Sequence, residues 1–305
     1  MSRVFKGSIV AIVTPFSAKG GSASGGRDLV VDEKKLKELV EFHIKNGTSG
    51  IVPCGTTGES PTLDYEEHEK VIEVCIEAAN GRVPVIAGTG SNSTKEAIEM
   101  TKRAAKAGAD ASLQVSPYYN KPTQKGLYQH FKAIADSVDI PHILYNIAGR
   151  TAVNILPDTI AKLAQDCKNI VGVKEASGSL DQMAQTKALC PPDFQLISGD
   201  DSLTLPLLAI GGVGVISVVA NIVPKDVSML VDEYLKGNVK KAQQLHYKLL
   251  PLVKAVFIET NPIPVKTSMG LMKMCNPDLR LPLCSMSEEN LKILKQELRD
   301  YGLLK

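Results

Sequence analysis

A chain of 305 residues, 44% of them hydrophobic, can build one large barrel or sandwich with an appendage. Its 35 basic and 33 acidic residues leave a formal charge of +2 with no long run of like charge, which argues against nucleic acid or an anionic membrane as partner. The six cysteines are scattered without a C-x-x-C pair, unlike a zinc site or a small disulfide scaffold, so reduced and mostly buried thiols in a cytoplasmic protein are expected.

Residues 1–13 carry two positive charges before an apolar stretch that stops at Thr14-Pro15, too short for a signal core. No later window approaches the roughly 18 apolar residues of a membrane span, so a soluble, unprocessed protein is expected. Eight short apolar runs follow one another at 8–15, 49–54, 83–89, 111–116, 142–146, 170–174, 195–199 and 213–218. Helical patterns alternate with them, such as 32–46 with Leu36, Leu39, Val40 and His43 on one face, and 65–80 with Val71, Ile72, Cys75 and Ile76 on one face. Asp32 and Asp64 stand as their caps. Eight β-α units in about 230 residues fit a closed (β/α)8 TIM barrel of the α/β class better than an open doubly wound sheet, which is the alternative. Residues 20–28 break the rhythm with four glycines and no apolar period, and are expected to form a mobile loop. After Gly237-Asn238 the strands stop, and 239–258, 263–275 and 287–303 read as helices. The expected division is a catalytic barrel over residues 1–236 and a small helical domain over residues 237–305.

The chemistry starts from Lys174, which closes the run Ile170-Val171-Gly172-Val173. An ammonium at the inner end of a buried strand is costly unless it meets water, an acid or a substrate. Alternation puts Lys174 on the face of Gly172, whose missing side chain would leave room beneath the amine. Desolvation favours the neutral amine that attacks a keto carbon, the first step of Schiff-base enzymes; the plainer reading is a lysine past the strand end that reaches solvent.

In a barrel, all strand ends converge on one face, so their residues are weighed together. Gly55-Thr56-Thr57-Gly58-Glu59-Ser60 is a glycine-bracketed turn opening a helix, suited to a small carboxylate or else a tight turn with capping threonines. Ser116-Pro117-Tyr118-Tyr119-Asn120 and Tyr145-Asn146 bring phenols that are either satisfied core tyrosines or members of a proton relay with a threonine hydroxyl. Arg150 is a carboxylate clamp or a solvated loop arginine. In Gly199-Asp200-Asp201, Asp201 reads as a cap; a metal is disfavoured because adjacent strand residues point to opposite faces and no histidine accompanies them. Neither Gly88-Thr89-Gly90 nor Gly211-Gly212-Val213-Gly214 continues as a nucleotide loop, and the five histidines lack ligand spacing.

Taken together, Gly55-Thr56-Thr57-Gly58-Glu59, Pro117-Tyr118-Tyr119-Asn120, Tyr145-Asn146, Gly172-Val173-Lys174-Glu175-Ala176 and Gly199-Asp200-Asp201 resemble the dihydrodipicolinate synthase family of pyruvate-dependent class I aldolases. The resemblance runs from about Gly7 to the end and includes Asn261-Pro262-Ile263-Pro264-Val265-Lys266. It implies a lyase of the diaminopimelate route to lysine that joins pyruvate to L-aspartate 4-semialdehyde with neither metal nor organic cofactor. By that resemblance Lys174 forms the Schiff base, Tyr145 donates and accepts the proton, and Thr56 and Tyr119 complete the relay. Tyr119 would come from a neighbouring subunit, which implies a homodimer as the minimal active unit and a homotetramer, a dimer of dimers, as the assembly. Thr57 would hold the pyruvate carboxylate, the carbonyls of Gly199 and Ile216 would line the pocket, and Arg150 would bind the carboxylate of the second substrate. Many members are inhibited by lysine at a subunit interface, and His68, Asn92, Glu96 and Tyr118 match that site while Pro61 and Tyr65 differ. Two further departures are Ala148, where the family more often has proline, and the long glycine-rich stretch 20–26.

Two rivals remain. N-acetylneuraminate lyase and the aldolases of 2-keto-3-deoxy sugar acids share the lysine, the tyrosine and the barrel, but Thr56-Thr57 with Arg150 favours a small carboxylate-bearing aldehyde over a polyol. A non-catalytic barrel that only binds a keto acid would lack a relay member, yet Thr56, Tyr119, Tyr145 and Lys174 are all present.

Overall fold

The computed structural model describes residues 4–18 and 29–305. Its strands in chain order are β1 (Gly7–Ala11), β2 (Phe16–Ala18), β3 (Leu29–Val31), β4 (Gly50–Val52), β5 (Ile86–Gly88), β6 (Ala111–Val115), β7 (His142–Asn146), β8 (Ile170–Glu175), β9 (Gln195–Ser198) and β10 (Gly214–Ser217). Eight of them pair in the order β4-β1-β10-β9-β8-β7-β6-β5, every named pair being parallel. A parallel bridge between Ile51 and Val85 joins the two ends of that order, so the sheet closes on itself. This is the (β/α)8 TIM barrel that the eight apolar runs predict, and the open sheet is excluded.

The runs form strands because both of their faces are buried. Along β1, Ile9 and Ala11 fill the barrel interior while Val10 packs under the covering helices; along β7, Ile143 and Tyr145 point in and Leu144 points out. Each fully buried aliphatic side chain of this kind contributes roughly 1.5–3 kcal/mol. The helices Glu33–Lys45 and Tyr65–Ala79 lie where the apolar period puts them. Asp32 accepts from the Lys35 N–H at 2.9 Å, and Asp64 forms a capping box with Glu67.

One expectation needs amendment. The first run ends as a strand at Ala11, and the chain then starts a small antiparallel hairpin, β2 with β3, in which Phe16 faces Val31. Three-residue strands carry too little alternation to be read from sequence. The expected mobile loop at 20–28 lies outside the described residues. The last three helices, Val239–Val256, Ile263–Leu271 and Glu288–Asp300, are as anticipated, though shorter. Leu249, Val265 and Leu294 join the same apolar cluster as Leu36 and Val40 of the first barrel helix. Among the described residues no helix is long and apolar enough to cross a membrane.

Candidate active site

Lys174 and Tyr145 are direct register partners on adjacent strands β8 and β7. Both are buried, and the Lys174 amine stands 4.1 Å from the centre of the Tyr145 ring. Among the described residues no acid forms an ion pair with Lys174. A register irregularity lets Val171 fill the barrel interior while Val173 packs outward; regular alternation then turns Lys174 inward beside Tyr145.

The room around this lysine has a different source from the one expected. A Cβ on Gly172 would meet the Gln195 carbonyl oxygen at 2.6 Å, so that glycine serves the close approach of β9. It is Gly199 that accommodates the lysine: a Cβ there would lie 3.1 Å from both Cγ and Cε of Lys174 and 2.7 Å from the Ala176 Cβ.

The turn after β4 does not open the long helix directly. Ser60–Thr62, with Pro61 near its start, forms one turn of 3-10 helix first, and the α-helix begins at Tyr65. Gly58 and Glu59 donate back to the carbonyls of Gly55 and Thr56 at 3.1 and 3.2 Å. The N–H groups of Thr56 and Thr57 donate to no protein acceptor among the described residues, as a carboxylate-binding turn requires. Glu59 is held at φ 54°, in the left-handed region, by contacts that sequence reasoning missed. Its buried carboxylate pairs with Lys266 at 2.5 Å and accepts from the Arg280 N–H at 3.1 Å. Asn261, also buried, donates from Nδ2 to Thr57 Oγ1 at 3.0 Å.

A cavity of about 420 Å³ opens above the barrel, and Thr56, Tyr145 and Arg150 line it together. His68, Glu96 and Tyr118 line the same space. Thr57, Lys174, Gly199 and Ile216 do not border it: Lys174 stands against the ring of Tyr145, which does, and Ile216 packs into the barrel interior. Arg150, in the short helix Ala148–Thr151, is not merely solvated, since Nη2 donates to the Asn261 carbonyl at 3.2 Å. Asn92 sits outside the cavity and donates to the Tyr118 carbonyl at 3.2 Å.

Of the three phenols, only Tyr145 is buried. Tyr118 is 41% exposed, and Tyr119 is 89% exposed with φ 71°. The core reading therefore fails for the Tyr118-Tyr119 pair, and Tyr119 does not reach the cavity of its own chain.

The paired acids separate by role. Asp200 is the cap, accepting from the Ser202 N–H at 2.8 Å. Asp201 is buried and accepts from the Ser217 hydroxyl and from the N–H groups of Val218 and Val219, tying the end of β9 to the end of β10. Burial raises its pKa against the opposing effect of those bonds. Among the described residues no group of three or more His, Cys, Asp or Glu gathers as for a metal. Glu175, on the far side of β8 from Lys174, went without a role in the sequence; it accepts from Asn146 Nδ2 at 3.0 Å, Gln182 Nε2 at 3.2 Å and the Ser177 N–H at 2.8 Å. Asn146 and Glu175 are the register pair next to Tyr145 and Lys174, so this carboxylate locks the two strands where the site residues sit.

The model of the dihydrodipicolinate synthetase family matches residues 4–301. The 4-hydroxy-tetrahydrodipicolinate synthase of Endomicrobium trichonymphae is 60% identical over 302 residues, 99% of this chain and 100% of its own length. Dihydrodipicolinate synthase from Aquifex aeolicus superposes with a TM-score of 0.93 at 51% identity, covering 98% of this chain and 99% of that one. The chloride-inhibited dihydrodipicolinate synthase from Acinetobacter baumannii, solved in complex with pyruvate, gives a TM-score of 0.93 at 46% identity over 99% of this chain and 100% of that one. Matched over nearly its whole length in sequence and in fold, this chain belongs to the dihydrodipicolinate synthetase family.

Proposed function

We propose that this protein is a 4-hydroxy-tetrahydrodipicolinate synthase, a lyase that condenses pyruvate with L-aspartate 4-semialdehyde on the diaminopimelate route to lysine. The observation that carries the reading is the buried Lys174 amine beside the Tyr145 ring, at the end of a closed barrel whose neighbouring turn holds the buried Thr57 and presents Thr56 to the cavity. The amine attacks the keto carbon of pyruvate, water leaves, and the iminium becomes an electron sink. That sink acidifies the pyruvate methyl, and Tyr145, with Thr56 and Tyr119, carries its proton away. The enamine attacks the aldehyde, and transimination closes the ring and frees Lys174. Thr57 holds the pyruvate carboxylate, the carbonyls of Gly199 and Ile216 line its pocket, and Arg150 meets the carboxylate of the second substrate. The iminium supplies the electron sink, so no metal or organic cofactor enters these steps.

Tyr119 is assigned to the site of a neighbouring subunit in a homodimer, two of which form a tetramer; its 89% exposure and left-handed backbone support this. Residues 237–305 are read as a helical unit buttressing the barrel of residues 1–236. Lysine is assigned to His68, Asn92, Glu96 and Tyr118 as a feedback inhibitor, and a flat activity curve across millimolar-range lysine would refute it. Six unpaired cysteines support a reducing, cytoplasmic setting.

The test is to treat the protein with pyruvate and borohydride, map the modified lysine by mass spectrometry, and compare turnover of L-aspartate 4-semialdehyde with that of N-acetylmannosamine. Labelling at Lys266 in place of Lys174 overturns the site, and turnover of the sugar alone overturns the substrate.

A further inference from the structure

Asn261 touches both groups assigned to the two substrate carboxylates. Its side chain donates from Nδ2 to Thr57 Oγ1 at 3.0 Å, and its backbone carbonyl accepts from Arg150 Nη2 at 3.2 Å. The residue is 5% exposed and Thr57 is 2% exposed, so water competes poorly for the bond between their side chains. Its own Oδ1 is buried with no partner among the described residues, of which Thr57 alone holds the amide.

The direction of the Thr57 bond decides its consequence. A hydroxyl has one proton to give and two lone pairs to fill. An amide N–H occupies a lone pair and leaves the proton free to donate elsewhere. A carboxylate at the same place has no proton and would take the hydroxyl's own. The position of Asn261 is itself fixed: five residues later, Lys266 forms a fully buried ion pair with Glu59, which belongs to the same turn as Thr57. The tail segment and the turn are therefore clamped at two points, with Thr57 at one and Glu59 at the other.

We propose that Asn261 is a positioning residue that sets the Thr57 hydroxyl as a donor toward the pyruvate carboxylate while its carbonyl steadies Arg150. The inference rests on the assignment of Thr57 to that carboxylate. Because the side chain serves Thr57 and the backbone serves Arg150, a side-chain substitution acts on one substrate more than on the other.

The experiment compares Asn261→Asp, Asn261→Ala and Thr57→Val. The readouts are the pyruvate dependence of borohydride trapping on Lys174, both KM values, kcat, and thermal unfolding. A hydrogen bond to a charged group is worth about 1.5–3 kcal/mol, so Asn261→Asp is expected to raise the pyruvate requirement by about tenfold or more while the KM for L-aspartate 4-semialdehyde moves far less. Asn261→Ala, which leaves the hydroxyl unoriented but adds no competing acceptor, should fall between wild type and Asn261→Asp. The double variant Asn261→Asp/Thr57→Val should be no worse toward pyruvate than Thr57→Val alone. If Thr57→Val raises the pyruvate requirement and Asn261→Asp does not, the role of Asn261 is overturned and that of Thr57 stands. If Thr57→Val itself has no effect on pyruvate, the assignment of Thr57 falls first. Equal damage to both KM values with a matching loss of thermal stability in Asn261→Asp and Asn261→Ala would reduce Asn261 to a structural residue and overturn the proposal.

Discussion

The Lys266 ammonium and the Glu59 carboxylate form an ion pair in which neither side chain has any exposure to solvent, and they do so across 207 residues of sequence. Burial lowers the Lys266 pKa, with Glu59 acting in the opposite direction. The ammonium also stands 4.0 Å from the centre of the Phe16 ring, over which the Arg280 guanidinium lies at 4.5 Å. The pair thus joins the helical tail to the catalytic turn and to the strand that starts the hairpin. Its gain in attraction is offset by the cost of dehydrating both charges, so its effect is to choose one arrangement.

Removing a single partner leaves the other charge buried and alone. Lys266→Met is therefore expected to cost about 3–5 kcal/mol of stability in urea unfolding, and Glu59→Gln/Lys266→Met less than Lys266→Met alone. A Lys266→Met protein as stable as the parent would mean that the turn does not depend on the tail.

Lys174 has no acid partner among the described residues to lose, so its removal separates catalysis from stability. Lys174→Ala should lose roughly a thousandfold or more in turnover and all pyruvate trapping. Its thermal midpoint should stay at or above that of the parent, because an apolar side chain replaces an amine in a buried place. Retained activity with an intact fold would end the Schiff-base reading.

Mixing two dead variants tests the assignment of Tyr119. In a dimer formed by one Lys174→Ala chain and one Tyr119→Phe chain, one of the sites draws a lysine from the second chain and a tyrosine from the first, and is complete. Random reassociation should recover about a quarter of parental activity, since half of the dimers are mixed and half of their sites are whole. No recovery after subunit exchange, verified by tagging the two chains differently, would return Tyr119 to its own chain.

Most of the barrel was legible in the sequence because strands buried on both faces are continuous apolar runs, and Lys174 stood out as the one charge that ended such a run. The hairpin of Phe16–Ala18 with Leu29–Val31 was not, since three residues hold no period. Gly172 was given the role that belongs to Gly199, because alternation along one strand says nothing about which glycine of the next strand abuts the lysine stem. Glu59, Lys266 and Asn261 find their partners only when the fold brings residues 57–59 and 261–266 together; the one signal in the sequence is a lysine set among the apolar residues of Ile263–Leu271. Tyr119 follows a strand end in the sequence, where a buried phenol is expected, yet it is exposed and the chain takes positive φ at Tyr119 and Lys121.

Four buried histidines, His43, His68, His130 and His142, have pKa values lowered by burial and give the protein an acid limit. Burial lowers the pKa of His43 to about 3 and those of His130 and His142 to about 4. His142 is neutral, donating from Nε2 to the Val138 carbonyl at 3.0 Å and accepting the Ser112 hydroxyl at Nδ1 at 2.6 Å. The unfolded chain, with histidines near 6.5, binds these protons first, so stability is full above pH 6.5 and falls as pH drops toward 4. For His142 alone the loss between pH 7 and pH 5 is about 2 kcal/mol. His142→Gln should flatten that part of the stability profile in urea unfolding at stepped pH; an unchanged slope would mean that another group carries it.

Gly199→Ala isolates the placement of the catalytic amine from its chemistry. The new methyl would stand 2.7 Å from the Ala176 Cβ, closer than side-chain carbons sit, and 3.1 Å from Cγ and Cε of Lys174, so the stem has to give by a few tenths of an ångström. The strand cannot yield easily, because the Gly199 N–H is bonded to the Glu175 carbonyl at 2.8 Å, and Glu175 is itself anchored through Asn146 and Gln182. The lysine stem is the softer element, with several rotatable bonds and no ion pair among the described residues to hold it. It should shift relative to the Tyr145 ring, lowering both the rate of pyruvate trapping and kcat by up to about 100-fold, the loss that a full misplacement of about 1 Å would bring, while overpacking costs about 1–3 kcal/mol of stability. Larger residues at 199 should be worse in the order of their volume. A Gly199→Ala protein with parental trapping kinetics would show that the strand gives way instead, and that the amine does not owe its position to this glycine.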